Sequence, residues 1–110
     1  MAFTQSTFQP WGGQAKRAGS GLGAGIAAGV ATPRSPQIWS YLTEDAPAAV
    51  DTSGYFNPVR PLLEIGDVIY RVTVNSSGAV QSAGWHVVMT KTTTAVDVSD
   101  TTALSITNTD

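Results

Sequence analysis

Between Gly12 and Pro36 the chain runs GGQAKRAGSGLGAGIAAGVATPRSP, and no repeat of period 2 or 3.6 can be drawn through it. Its apolar positions are mostly Ala and Gly, and only Leu22, Ile26 and Val30 have any size. These three lie four apart, but the glycines at 21, 23, 25 and 29 would each cost a helix about 1 kcal/mol against Ala. Ordering a residue costs about 1–2 kcal/mol of backbone entropy, and this stretch has too little apolar surface to offset that alone. The remaining residues must supply the fold, and the stretch is expected to order only on a partner.

Glycine and charge divide at the same place. Seven of the eleven glycines precede residue 37. Residues 1–36 carry Lys16, Arg17 and Arg34 and no acid, whereas residues 37–110 have a net charge of −5. The expected organisation is therefore an extended N-terminal arm over 1–36 and a β-rich body over 37–110. Fully extended, such an arm reaches at most about 120–130 Å, enough to cross neighbouring subunits. Its tip, MAFTQSTFQPW, carries the large apolar residues Phe3, Phe8 and Trp11. Residues of this kind concentrate interface energy, so they are expected to anchor on a partner. Lys16, Arg17 and Arg34 are expected to meet an acidic surface.

Sharper functions for the arm fail on the residues. Leu22–Ala31 is about half the length of a bilayer span, so no membrane association is expected. Charges that come late and an apolar run broken by glycine do not make a signal peptide. Gly19-Ser20-Gly21-Leu22-Gly23 lacks the Lys-Ser/Thr of a phosphate loop and follows no strand.

The body reads as short strands. Gln37–Leu42 opens it, Glu44-Asp45-Ala46-Pro47 is a turn, and Ala48–Asp51 reads as a short extended piece. Asp51 is placed to cap a single turn through Gly54-Tyr55-Phe56. The clearest alternation is Val68–Val74, with Val68, Tyr70, Val72 and Val74 on one face and Ile69, Arg71 and Thr73 on the other. Asn75-Ser76-Ser77-Gly78 is a hairpin signal, because Asn and Gly accept the positive φ of tight turns. Gly84 suggests a bulge or bend before Trp85–Met89, and Ala95–Val98 and Ala103–Ile106 follow as further strands. Five to seven such strands predict a mainly β fold, a small antiparallel β-barrel or sandwich. The expected core is Ile38, Tyr41, Tyr55, Phe56, Leu62, Ile65, Val68, Tyr70, Val72, Trp85, Val87, Met89, Val96, Val98 and Leu104.

Chemistry is sparse. There is no cysteine, so no thiolate ligand or thiol nucleophile, and His86 is the only histidine. A lone strand histidine is ordinarily structural. Ten serines and several acids include no Gly-x-Ser-x-Gly elbow. Glu44-Asp45 are adjacent turn acids that point apart, and Glu64 and Asp67 flank the Gly66 turn, where backbone donors are their natural partners. No catalytic residue, metal site, cofactor or small-molecule substrate is expected, and the net-acidic body excludes a nucleic-acid binder. Charged residues make up 13% of the chain, about half the usual share. A surface with so few charges is poorly protected against association, so a homo-oligomer is expected.

The run Ile38-Trp39-Ser40-Tyr41, then Asp45, Ala48-Ala49-Val50, Gly54-Tyr55-Phe56-Asn57 and Leu63-Glu64-Ile65-Gly66-Asp67-Val68-Ile69, resembles small structural proteins of tailed bacteriophages. Gly13-Gln14-Ala15-Lys16-Arg17 fits the short basic lead of that group, which includes capsid decoration (cement) and head-fibre-base proteins. The resemblance implies a β-rich, often trimeric module on the capsid surface of the virion, with the major capsid protein as partner. It brings no catalytic residues. Two alternatives stand beside cement: the base of a head or tail fibre, and a free carbohydrate-binding module using Trp39 or Trp85 as a stacking platform.

Overall fold

A computed structural model describes residues 2–11 and 36–109 of the chain. The protein is mainly β. Six strands form one sheet: β1 (Phe8–Pro10), β2 (Ile38–Thr43), β3 (Val68–Val74), β4 (Val80–Lys91), β5 (Val96–Val98) and β6 (Thr102–Leu104). The first five lie side by side in chain order, and β6 pairs with β4 beside β5. All pairings are antiparallel except β2 with β3, which run parallel from Ile38 opposite Val68 to Thr43 opposite Thr73. The sheet does not close into a barrel. It is half of a sandwich, whose second layer is chain rather than strand.

That layer follows from the parallel pair. Two parallel neighbours cannot be joined by a tight turn, so residues 44–67 must cross back along one face of the sheet. The crossover holds the helical turn α1 (Pro47–Val50) and a 3₁₀ segment (Asn57–Leu62) with proline at its start and inside it. Asp51 ends α1 rather than capping a following turn. The crossover lays Val50, Phe56, Val59 and Leu63 on the sheet side chains of Trp39, Tyr41, Ile69 and Val88, and all eight are buried.

Which face is buried reverses the expected core. Ile69, Arg71 and Thr73 point inward, and Val68, Tyr70, Val72 and Val74 lie half-buried on the other side. Alternation defines two faces and says nothing about which one the crossover will cover. Of the expected core, Tyr41, Phe56, Val96 and Val98 are buried and Tyr55 packs against them. Ile38 and Trp85 share the half-buried outer face, whereas Leu62, Ile65, Val87, Met89 and Leu104 are exposed. Gly84 makes no bulge; β4 runs through it, and the register shifts lie between Thr73 and Val74 and between Val88 and Thr90. The hairpin at Asn75 is as its sequence predicts. Its carboxamide oxygen accepts from Ser77 N, Ser77 Oγ and Ala79 N, and Gly78 supplies a φ of +88°.

The N-terminal residues belong to the body. Phe8 is buried and stacks on Trp39 at 5.0 Å between ring centroids. Phe3 stacks on Tyr41 at 5.1 Å and meets Tyr55 and Phe56 edge-on. The division expected at residue 36 is therefore displaced, because residues 3–11 complete the aromatic core. Trp11 N donates to Ile38 O at 2.8 Å, so both ends of the intervening stretch sit together at one end of the β1–β2 pair. Residues 12–35, with Lys16, Arg17 and Arg34, lie outside the described residues.

Truncating a buried Phe removes transfer energy and leaves a cavity, so Phe8→Ala is expected to lower stability by about 3–5 kcal/mol in urea unfolding. Joining Trp11 to Pro36 through a two-residue Asn-Gly turn is expected to keep the far-ultraviolet circular dichroism of the body. By the same reasoning, removing residues 1–36 together is expected to abolish cooperative unfolding.

Candidate functional site

The inner face carries a polar spine through an otherwise apolar core. Arg71 on β3 has no solvent exposure. Its guanidinium donates to His86 Nε2 at 3.0 Å, Thr73 Oγ at 2.6 Å, Ser82 Oγ at 3.1 Å and Thr101 Oγ at 3.1 Å. All four acceptors are uncharged. β4 makes room for it with Gly84, the residue opposite Arg71. A Cβ there would run into Thr101 Oγ, 2.7 Å from Thr102 O and 3.3 Å from Arg71 Nη2.

The spine continues in both directions. His86 Nδ1 lies 2.9 Å from the Ser99 carbonyl, which can only accept. That assigns the proton to Nδ1 and leaves Nε2 as the acceptor for Arg71. Burial first, and then the Arg71 charge, push the His86 pKa below its ordinary 6.5, against the Ser99 bond and the fields of Asp51 and Asp100. Burial likewise lowers the Arg71 pKa, opposed by Asp51. Towards the crossover, Thr73 Oγ donates to Asp45 O at 2.8 Å. The Asp45 carboxylate accepts from Tyr55 OH at 2.6 Å, Tyr55 meets Tyr41 OH at 2.7 Å, and Tyr41 OH accepts from Thr4 N at 2.9 Å. Burial, and then the bonds to Asp45 and Tyr41, hold the Tyr55 phenol protonated far above its ordinary range.

Asp67 is the second buried anchor. Its carboxylate accepts from Gln37 N, Glu64 N and Trp39 Nε1 at 3.0–3.2 Å. The turn acid thus binds backbone, as its position beside Gly66 suggests, and also fixes the indole of β2. Glu64 pairs with Lys91 at 3.2 Å, tying the crossover to β4.

These groups bond to one another. Asp45 turns to Tyr55 while Glu44 is exposed, so the adjacent carboxylates do not act as a pair. A shallow hollow of about 230 Å³ lies beside them, lined by Ala2, Thr4, Thr7, Leu42, Thr43, Glu44, Asp45 and Val74. No cluster of metal-ligating side chains occurs among the described residues.

The surface that stands out is the outer sheet face. The in-register pairings place Gln9, Ile38, Ser40, Leu42, Val68, Tyr70, Val72, Val74, Ala83, Trp85, Val87, Thr102 and Leu104 on it. None of these positions holds Lys, Arg, His, Asp or Glu, and the carboxylate on this side is that of Asp97, opposite Thr90 at the β5 edge. Trp11 joins them, stacked on Trp85 at 6.0 Å and edge-on to Tyr70 at 5.7 Å. Trp11, Leu42, Val87 and Leu104 keep 37–44% of their surface exposed. Of the expected anchors, Trp11 alone lies on an open surface; Phe8 is buried in its own chain and Phe3 packs against that core. The signal for the outer face is present in the sequence. Both faces of Val68–Val74 and of Ile38–Thr43 are short of charge, which a strand with one wet face would not be.

Protonating His86 beside buried Arg71 is costly, so the unfolded chain takes up a proton near pH 6.5 that the folded chain refuses. Stability is expected to be full above pH 6.5 and to fall below it, by at most about 1.4 kcal/mol per pH unit from this group. Urea unfolding at several pH values should give a shallower acid slope for His86→Gln, and an unchanged slope would exonerate the histidine. The chain matches no protein family, no curated protein and no solved structure.

Proposed function

We propose that the chain is a non-enzymatic structural protein of a virion that binds the outside of a phage capsid and stabilises it. The observation that carries this reading is where polarity is spent. The buried polar groups of the spine bond to one another, while the outer face of β1, β2, β3, β6 and the first half of β4 is uncharged and largely apolar. Such a body suits assembly, since catalysis needs polar groups aimed at open space. The resemblance to small phage decoration proteins supplies the class of assembly.

Residues 12–35 are the part that would meet the major capsid protein. The elements on either side of them, β1 and β2, pair with each other, so the stretch is tethered to the body at both flanks. Binding through a tethered stretch makes later contacts effectively intramolecular. Lys16, Arg17 and Arg34 give it a positive charge opposite in sign to the body.

A sugar platform has less support. Trp39 is buried with its indole nitrogen on Asp67, and Trp11, Tyr70 and Trp85 pack on one another with no charged side chain at the positions paired with them. The base of a head or tail fibre would draw on the same surfaces.

Co-sedimentation with shells built from the major capsid protein of the same genome tests the proposal. The full chain is expected to pellet with shells, and the chain with 12–35 replaced by the Asn-Gly turn to stay in the supernatant while still folded. Full occupancy by the shortened chain would remove the tether from the mechanism. Failure of the full chain to bind shells would sink the capsid proposal, and binding only in the presence of purified fibre protein would favour the fibre base.

A further inference from the structure

We infer that the outer sheet face is the contact surface for a second copy of the same chain, packed sheet against sheet about a two-fold axis. The inference deepens the assembly reading above and rests on it only for self-association, so its test needs no shell.

Charge selects the occupant. The body is net negative, and Glu44, Asp45, Asp51 and Glu64 lie on the crossover, on the opposite side of the sheet. Two copies approaching through the crossover side would bring like charges together, which costs free energy. Over β1, β2, β3, β6 and the first half of β4 the outer face has no ionisable position apart from the phenol of Tyr70, and Asp97 lies beyond that area on β5. Identical chains can therefore meet there without repulsion at the contact.

Area and shape agree. The face spans β1, β2, β3, β6 and the first half of β4, with β3 seven residues long. Strands about 4.8 Å apart and rising about 3.3 Å per residue give it a footprint on the order of 500 Å². Pairing two copies would then remove about 1,000 Å² from water, which is the size at which specific interfaces begin. Twisted sheets stack face to face about 10 Å apart, with interleaved side chains and strands within about 30° of one another. An isologous pair of this kind supplies the half-sandwich with its missing second sheet. Trp11, Tyr70 and Trp85 would form the centre, with Gln9, Ser40 and Thr102 among the polar positions. The unit is then a dimer, where the phage resemblance implies a trimer.

Sedimentation equilibrium of the full chain from about 1 to 100 µM tests the pairing. A species of about 23 kDa, twice the 11.4 kDa chain, is expected and should hold or strengthen in about 1 M NaCl, because an apolar contact is not screened. Leu42→Glu and Val87→Glu, both at exposed positions of the face, are each expected to weaken association at least tenfold. Leu62→Glu, exposed on the 3₁₀ segment outside the sheet, should associate as the wild type does. Circular dichroism and urea midpoints confirm that each variant is folded. Should the face variants fail to fold, acrylamide quenching of the wild type still decides: tryptophan accessibility must fall as concentration rises through dimerisation. Quenching that ignores concentration, a wild type monomeric at about 100 µM, a trimer of about 34 kDa, or a Leu62→Glu chain that dissociates as readily as the face variants would each overturn the inference. Dimerisation without shell binding would instead leave it standing and sink the capsid proposal.

Discussion

A guanidinium buried without a carboxylate organises this protein. Arg71 sits in the middle of the central strand, and its four acceptors come from three segments: Thr73 two residues along its own strand, Ser82 and His86 on β4, and Thr101 leading into β6. Removing a cation from water is costly, and neutral acceptors return only part of that cost. The arrangement is stable only if all the acceptors are in place together. That requirement couples β3, β4 and β6 to the crossover through Thr73 and Asp45. It also explains a glycine in the middle of the longest strand, where any side chain would strike Thr101 and Thr102.

The aromatic cluster supplies the apolar counterpart. Phe3, Phe8, Trp39, Tyr41, Tyr55 and Phe56 pack at centroid distances of 5.0–6.1 Å, mostly edge-on or tilted, as ring quadrupoles prefer. Two of the six rings come from the first eight residues. A small body has little core to spare, so the N-terminal segment is recruited to complete it. The Tyr55 hydroxyl and the Trp39 indole donate hydrogen bonds at the cluster's edges, to Asp45 and Asp67 respectively. Those two carboxylates orient rings.

Covering one face of the sheet with a crossover leaves the other face without a layer among the described residues. Most domains wet the uncovered face with charge and hydroxyls, yet here it is mostly Val, Leu, Ile, Trp and Tyr. The same asymmetry separates stability from the interaction proposed above: the inner face holds the fold together, and the outer face is the surface proposed for a second copy. Trp11 stands at the boundary between the two roles, since its backbone closes the β1–β2 pair and its ring lies on the outer face.

Local structure was legible in the residues because local chemistry decides it. The alternation of Val68–Val74, the Asn75–Gly78 hairpin, the short strand at Val96–Val98 and the backbone-binding role beside Gly66 each follow from a few neighbouring side chains. The mainly β class follows from their number and spacing. Which face of the sheet is buried did not follow, because Ile69, Arg71, Thr73 and Val68, Tyr70, Val72, Val74 are both acceptable inward sets until a covering element arrives. Arg71 is the sharpest case: an arginine on a strand reads as solvent-facing, and only acceptors 2, 11, 15 and 30 residues away make its burial tolerable. Phe3 and Phe8 read as anchors for a partner for the same reason, since their pockets are assembled from residues 39, 41, 55 and 56. Sequence alone determined the elements, whose energies are set within a turn or two of chain. The tertiary structure decided inside from outside, because burial is a property of surfaces that distant segments form together.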